Sequence, residues 1–489
     1  MAAIDVVNLT FAYPGSAEDV FENVSFSIDT DWKLGFIGRN GRGKTTFLKL
    51  LTGELTPDSG RIAAPVAFDY FPFEIGDMTQ NTLNIIERLC PDYEYWHLQR
   101  ELSLLSVSED VLHRPFDTLS HGERTKVLLA VLFLKDNRFL LIDEPTNHLD
   151  MEARTLIGDY LSQKSGFILV SHDRALLDRC VDHVLSINKL NIDLQQGNFF
   201  SWLVNEQYRE NYEREHNEKL KKEVARLGQA ARQTGEWSDK IERSKIGAHA
   251  ADRGFIGHKA AKMMQRSKNV QRRRQKLLDE KSKLLKNIET AEDLLLRPAS
   301  HHARHLVEAA DLSIRYGDKT VLENLRFTLP QGERIAVTGK NGSGKSSLLK
   351  LIMGQEMAHT GRLHVASGLE ISYVPQDTSH LRGSLTDYAH QAGIDQSLFM
   401  TILRKLDFRR SQFDKHIETY SAGQKKKVLI AASLCMRAHL YLWDEPLNYV
   451  DVLSRVQIEN LILSSKPTMI FVEHDRAFID RVATQRLTL

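Results

Sequence analysis

Gly38-Arg-Asn40-Gly41-Arg-Gly43-Lys44-Thr45-Thr46 follows a short apolar run over residues 33–38, Lys-Leu-Gly-Phe-Ile-Gly, and precedes a run of helical character from Phe47 to Leu51. A buried strand, a glycine-rich loop and a helix in that order make a phosphate-binding loop. Glycines let successive backbone N–H groups curl around phosphate oxygens, the lysine reaches the outer phosphates, and a hydroxyl holds Mg2+. Gly38, Asn40, Gly41, Gly43, Lys44, Thr45 and Thr46 are therefore candidate nucleotide-binding residues.

Other parts follow in order. Leu119-Ser120-His121-Gly122-Glu123 opens a helix, and the apolar strand Phe139-Leu-Leu-Ile142 ends in Asp143-Glu144. After Pro145 and Asn147-His148-Leu149-Asp150, a further strand over residues 166–170 ends in Ser171-His172-Asp173. Taken singly, Asp143, Glu144 and His172 would be incidental loop residues; their order argues against that.

The whole arrangement then recurs. Arg334 to Thr338 is the strand, Gly339-Lys-Asn341-Gly342-Ser-Gly344-Lys345-Ser346-Ser347 the loop, and Tyr420-Ser421-Ala422-Gly423-Gln424 the helix start. Tyr441-Leu-Trp-Asp444-Glu445 is the acidic strand end, followed by Glu473-His474-Asp475. Lys44 to Lys345, Ser120 to Ser421 and Glu144 to Glu445 are each 301 residues apart, and His172 to His474 is 302. A spacing held this closely marks a duplicated domain.

The halves are joined by a different kind of sequence. From Lys219 to Lys276 there are 17 Lys/Arg against 5 Asp/Glu, a net charge of +12 in 58 residues, while the whole chain carries +1. The other 431 residues are thus near −11. Charge gathered into one segment is the footprint of a polyanion-binding surface, although a solvated helical spacer would carry it too. Leu220, Val224, Leu227 and Ala231 recur at helical spacing, as do Leu277, Leu284, Ile288, Ala291 and Leu295, so two apolar seams could face each other.

The 489-residue chain is long enough for two or three domains, and 42% hydrophobic with 26% charged is ordinary for a soluble globular protein. No apolar run approaches the roughly 18 residues of a membrane helix, and Met1 to Tyr13 has no signal-peptide pattern. The expectation is a cytoplasmic protein without a membrane domain. Cys90, Cys180 and Cys435 lie far apart, which suggests neither a disulfide framework nor a zinc site, and all three read as small buried hydrophobes.

The order of motifs resembles the nucleotide-binding domain of ABC ATPases, once in each half. The resemblance implies an α/β fold with two tandem P-loop ATPase domains, ATP and Mg2+ as cofactors, and hydrolysis of ATP to ADP and phosphate. In that family each ATP lies between the P-loop of one cassette and the signature motif of the other. One site would then combine Tyr13, Lys44, Thr45, Asp143, Glu144 and His172 with Ser421 and Gly423. The other would combine Tyr316, Lys345, Ser346, Gln376, Asp444, Glu445 and His474 with Ser120 and Gly122. By resemblance, Thr45, Asp143, Ser346, Asp444 and Gln376 hold Mg2+, Glu144 and Glu445 orient and deprotonate water, and His172 and His474 steady the γ-phosphate. Tyr13 and Tyr316 stand where the family stacks adenine, although each alone would more often be a core aromatic. Two departures stand out. Tyr70-Phe-Pro-Phe73 replaces the glutamine kept in Tyr373-Val-Pro-Gln376, and His121 stands where a glycine is usual.

Two such cassettes joined by a long basic helical linker resemble the ABC-F family of translation proteins, and in particular its antibiotic-resistance branch, which protects bacterial ribosomes from lincosamides, streptogramin A and pleuromutilins. Glu236-Trp237-Ser238 and Lys259-Ala-Ala-Lys-Met-Met-Gln-Arg-Ser-Lys268 support that branch. Lys44 to Ser120 and Lys345 to Ser421 are both 76 residues, which leaves no room for the arm insertion of the housekeeping members. The expected domains are 1–205, 206–297 and 298–489, with the linker apex near 234–257. Helices over 206–233 and 258–296 would span roughly 42 and 58 Å at 1.5 Å per residue. The resemblance implies a monomer with paired cassettes, no membrane, and a bacterial ribosome as partner, reached through linker contacts to large-subunit rRNA and P-site tRNA. A basic probe of that reach could also stack Trp237 or Phe255 at its tip on bases, although packing between the two helices would place such aromatics there too. The alternatives are a housekeeping ABC-F translation factor, the ATPase subunit of a membrane transporter, and a DNA-repair ATPase, whose halves are separated by far longer coiled coils.

Overall fold

The computed structural model describes residues 2–15, 19–135, 137–147, 149–188, 191–209, 294, 296–317, 319–408 and 410–489, with isolated positions 211, 212, 215, 219 and 222. Most of the two expected linker helices, the apex with Trp237 and Phe255, both apolar seams and Arg272 to Arg274 lie outside these. Contacts divide the chain into Met1–Trp202 together with Asp293–Leu489, and Leu203–Glu292. The first of these units contains both cassettes.

Each cassette stacks a three-stranded antiparallel sheet against a mostly parallel one. In the first, the antiparallel sheet runs Phe21–Asp29, Ala3–Phe11, Ser59–Ala63. The larger sheet runs Ala67–Phe71, Arg138–Asp143, Phe167–Val170, Lys33–Ile37, His183–Asn188, Asn191–Gln196, antiparallel only at its last pair. The second cassette repeats this as Lys319–Pro330, His305–Tyr316, His359–Val365, and as the all-parallel order Ile371–Val374, Leu440–Asp444, Met469–Val472, Arg334–Thr338, Gln485–Thr488. Residues Phe167–Val170 and Met469–Val472 are continuous apolar runs buried on every side chain, as a strand covered on both faces must be.

This topology decides where chemistry can occur. Strands Lys33–Ile37, Arg138–Asp143 and Phe167–Val170 lie side by side and end together, so Gly38, Glu144 and Ser171 come off neighbouring carboxyl ends, the usual ligand edge of an α/β sheet. The helices opened by the signature motifs, His121–Leu132 and Ala422–Cys435, are capped by Ser120 and Ser421 in reciprocal capping boxes with Glu123 and Gln424. One expectation needs correction: Cys90 and Cys180 are buried, but Cys435 is only partly so, because it sits in the last turn of its helix. Among the described residues no helix is long and apolar enough to cross a membrane.

Candidate active sites

The phosphate loops are already shaped. Gly43 (φ 102°) and Gly344 (φ 89°) occupy left-handed backbone at the helix starts, where a Cβ would come within 2.5 Å of Val20 and 3.0 Å of Val321. At Gly41 and Gly342 a Cβ would meet nothing, leaving the mouth of each loop open. Lys44 Nζ donates to the carbonyls of Gly38 (2.6 Å) and Arg39 (3.3 Å), and Lys345 Nζ to those of Gly339 (2.9 Å) and Lys340 (2.8 Å). Both ammonium groups are buried, and burial lowers both pKa values against the pull of nearby carboxylates.

Around Lys345 the two cassettes line one cavity of about 670 Å3. Ser120, His121 and Gly122 come from the first; Asn341, Gly342, Gly344, Lys345, Ser346, Ser347, Gln376, Glu445 and His474 come from the second. Glu445 (φ 47°) sits in left-handed backbone, a strained conformation that turns its side chain off the strand end into the cavity. Its Oε2 accepts from Gln376 Nε2 (2.8 Å) and Asn448 Nδ2 (2.6 Å), and its Oε1 lies 3.3 Å from His474 Nε2. Burial alone would raise its pKa; the His474 contact and the charges of Lys426 and Lys345 outweigh it and hold Glu445 below its ordinary value. Beside it, Asp444 hydrogen-bonds the Ser346 side chain while its Oδ1 is buried without a hydrogen-bond partner. An orphaned carboxylate oxygen next to a hydroxyl is a donor set that fits Mg2+.

The site on Lys44 is closer and differently supported. Asn40 Nδ2 donates to the Tyr449 carbonyl (2.6 Å), Arg42 pairs with Asp407 (3.0 Å), and a Cβ on Gly423 would lie 2.6 Å from Asn40 Nδ2. The signature of the second cassette thus abuts the phosphate loop of the first, and Gly423 has no room for a side chain. Asp143 Oδ2 accepts from Thr45 Oγ1 (3.3 Å) and Tyr70 Oη (3.0 Å). Phe73, at the glutamine position, packs instead beneath Lys135, whose Nζ is 5.2 Å from the ring centre. Glu144 (φ 51°) shares the strained backbone of Glu445 but not its partners. Its Oε1 is 3.5 Å from His172 Nε2 and is buried without a hydrogen bond. Burial, with the charge of Asp143 adding to it, pushes Glu144 up to about 8. Burial, with the charges of Lys44 and Arg455, holds His172 well below the usual histidine range.

Tyr13 and Tyr316 are 45% and 50% exposed, so neither is a core aromatic. Their hydroxyls share hydrogen bonds with Thr46 (2.8 Å) and Ser347 (3.1 Å). Sequence reading missed Tyr70 at Asp143, the left-handed backbone of both glutamates, and two buried charges, Arg174 and Lys426. A lysine in a helix that continues Val428-Leu-Ile-Ala-Ala was the available signal for the last.

The model of the family described as ABC transporter matches residues 21–147 and 322–448. Ribosome protection protein VmlR of Bacillus subtilis (strain 168) is 28% identical, over 99% of this chain and 87% of its own length. Energy-dependent translational throttle protein EttA of Escherichia coli O6:H1 is 25% identical, over 96% of this chain and 89% of its own. A chain in the crystal structure of the complex of archaeal ribosomal stalk protein aP1 and archaeal ribosome recycling factor aABCE1 shares the fold, with a TM-score of 0.64 at 20% identity over 98% of this chain and 87% of that one. Two matched domains in the predicted order, on a fold with two sets of P-loop and acidic strand end, settle the family: the chain belongs to the ABC transporter family as an ABC-F ATPase, which uses ATP with Mg2+ and hydrolyses it.

Proposed function

We propose that this protein is an ATP-gated ribosome-binding factor of the cytoplasm that protects the bacterial ribosome from large-subunit antibiotics. ATP closes its cassettes, 1–205 and 298–489, within one monomer. The closed form sets the linker, 206–297, beside P-site tRNA and the peptidyl-transferase centre, and hydrolysis lets the protein leave. The observation that carries this reading is the crosswise construction of the Lys345 cavity, with Ser120 and Gly122 of one cassette facing Lys345 and Glu445 of the other. A nucleotide held there touches both halves, so it binds the closed form better, and that difference in affinity shifts the equilibrium.

In this reading Lys44 and Lys345 neutralise the β- and γ-phosphates, and Ser421 with Gly423, or Ser120 with Gly122, closes over them. Thr45 with Asp143, and Ser346 with Asp444 and Gln376, would hold Mg2+, which supplies charge neutralisation at the phosphates. Glu445 takes the proton of the attacking water, held for that task by Gln376, Asn448 and His474. The similarity to VmlR and the +12 linker charge support ribosome protection through phosphate contacts. The similarity to EttA supports the second reading, a general translation factor. Both bind ribosomes, and drug susceptibility separates them: expression in a sensitive bacterium raises the inhibitory concentration of a lincosamide or pleuromutilin in the first and leaves it unchanged in the second. A chain that fails to co-sediment with ribosomes in ATP refutes both.

A further inference from the structure

We infer that Lys426 is a positioning residue through which nucleotide at the Lys44 site sets the hydrolytic geometry of the Lys345 site. The inference rests on the crosswise site assignment proposed above. Lys426 lies in the first turns of Ala422–Cys435, the helix whose start carries Ser421 and Gly423 and therefore faces the nucleotide on Lys44. Its side chain runs to the other site. Lys426 Nζ donates to the carbonyls of Pro375 (2.9 Å) and Asp444 (3.4 Å), and the residue is 3% exposed. Pro375 precedes Gln376, Asp444 precedes Glu445, and Gln376 Nε2 is bonded to Glu445 Oε2. One ammonium thus ties the helix that closes over one nucleotide to the two side chains that address water at the other.

The neighbouring lysine shows that the same helix answers to the Lys44 site. Lys427 Nζ donates to Asp451 Oδ2 (2.6 Å) and to the Leu406 carbonyl (2.9 Å), and the charge of Asp451 acts on Lys44 and His172 of the first cassette. Burying Lys426 is costly, and burial lowers its pKa while Glu473, Asp444 and Glu445 offset the effect. Among the described residues the first cassette shows no equivalent tie. The counterpart of Lys426 is Thr125, whose hydroxyl turns back to the His121 carbonyl of its own helix (2.9 Å), and the counterpart of Gln376 is Phe73 under Lys135. Affinities in a coupled pair must be reciprocal, but turnover need not be. Nucleotide on Lys44 therefore promotes hydrolysis at Lys345, while Thr125, at the matching position, carries no such tie in the reverse direction.

The test is a cycle of Lys44→Ala and Lys426→Met in chains carrying Glu144→Gln, where all turnover comes from the Lys345 site. Lys426→Met keeps the apolar stem, removes the donor, and lowers kcat by roughly fivefold or more. Affinity for a fluorescent ATP analogue, read in the chain with both glutamates changed to Gln, stays within about twofold, which a general packing defect would not allow. The loss caused by Lys44→Ala is roughly fivefold larger with Lys426 present than with Lys426→Met. Thr125→Val leaves kcat unchanged. Lys426→Arg restores part of the loss, and if the Met variant does not fold, the comparison of Lys426→Arg with Lys426→Gln replaces it. Additive effects of Lys44→Ala and Lys426→Met, or parallel losses of kcat, affinity and melting temperature, overturn the coupling. If Lys44→Ala and Lys345→Ala chains each still bind two nucleotides, the site assignment itself has failed, and the coupling falls with it.

Discussion

Arg174 of the first cassette donates to Glu459 of the second, both buried, and the position answering Glu459 in the first cassette, 301 residues earlier, is Gly158. Arg174 Nη2 also lies 3.2 Å from Asp475, which Arg455 holds at 3.1 Å, while Arg481 holds Glu459 at 3.1 Å. The counterpart of Arg174 is Arg476, which stays at the surface beside Asp480. Among the described residues the duplicated domain therefore makes this cross-cassette ion cluster once, on one side of its pseudo-symmetry.

Removing members of that cluster should have unequal effects. Arg174→Met leaves Glu459 with Arg481 and Asp475 with Arg455, so both carboxylates keep a cation. Glu459→Ala leaves Arg174 and Arg455 to share Asp475 as their one carboxylate and should cost up to about 3 kcal/mol, the lower end for breaking a buried pair, because half the compensation of Arg174 remains. Thermal melts without nucleotide should rank wild type above Arg174→Met above Glu459→Ala. The reverse order of the two variants would show that Arg481 does not compensate.

Changing both Glu144 and Glu445 to Gln should preserve ATP binding, lower hydrolysis by about 10²-fold or more, and hold the protein on ribosomes in ATP. Co-sedimentation and phosphate release on the same preparation check this, and wild-type turnover in the double variant would remove both residues from the water-activating role.

The single variants should differ. Glu445 has Gln376, Asn448 and His474 on its carboxylate and is kept ionised, whereas Glu144 has its Oε1 buried without a hydrogen bond and is driven toward the neutral acid. Glu445→Gln should therefore cost more steady-state ATPase than Glu144→Gln. Equal losses would mean that Tyr70, bonded to Asp143, compensates for the missing glutamine at Phe73.

The same contrast has a pH signature. With its folded pKa raised to about 8, Glu144 holds its proton in the folded state over a range where the unfolded chain has released it. Folded protein then binds more protons, so this group's contribution to stability falls as pH rises from the ordinary carboxylate range to about 8. Glu144→Gln removes that loss. Its melting temperature relative to wild type should rise between pH 5 and pH 8.5, and a difference independent of pH would place Glu144 ionised in the folded state.

For the linker, changing Arg272, Arg273 and Arg274 to Gln should weaken ribosome binding and flatten its dependence on salt, by a log–log slope of up to about one for each phosphate no longer neutralised. Replacing Phe255 with Ala should leave that binding nearly intact while altering the drug spectrum. Parallel loss of binding and protection in the Phe255 variant would refute this division of labour.

The fold was legible because its determinants are local. Strand, glycine loop and helix are contiguous in Lys33–Thr52, and the duplication is visible as a constant spacing. The inequality of the two sites was legible in part, through Phe73. Its larger source was not, because the hydrogen bonds on Glu445 come from Gln376, Asn448 and His474, which tertiary packing brings together, and the first cassette keeps only the last two residue types, as Asn147 and His172. Arg174 was equally hidden, because a charged residue in sequence looks the same whether it meets water or a buried partner across an interface, and Lys426 showed only through its place in an apolar helix.

Tyr13 and Tyr316 engage their hydroxyls with Thr46 and Ser347, so what each offers outward is a ring face. A ring face has no pattern of donors and acceptors, and every nucleobase presents it with a similar surface. Guanine would stack there as adenine does. Any selection among bases must therefore come from groups that meet the base edge, not from these two rings.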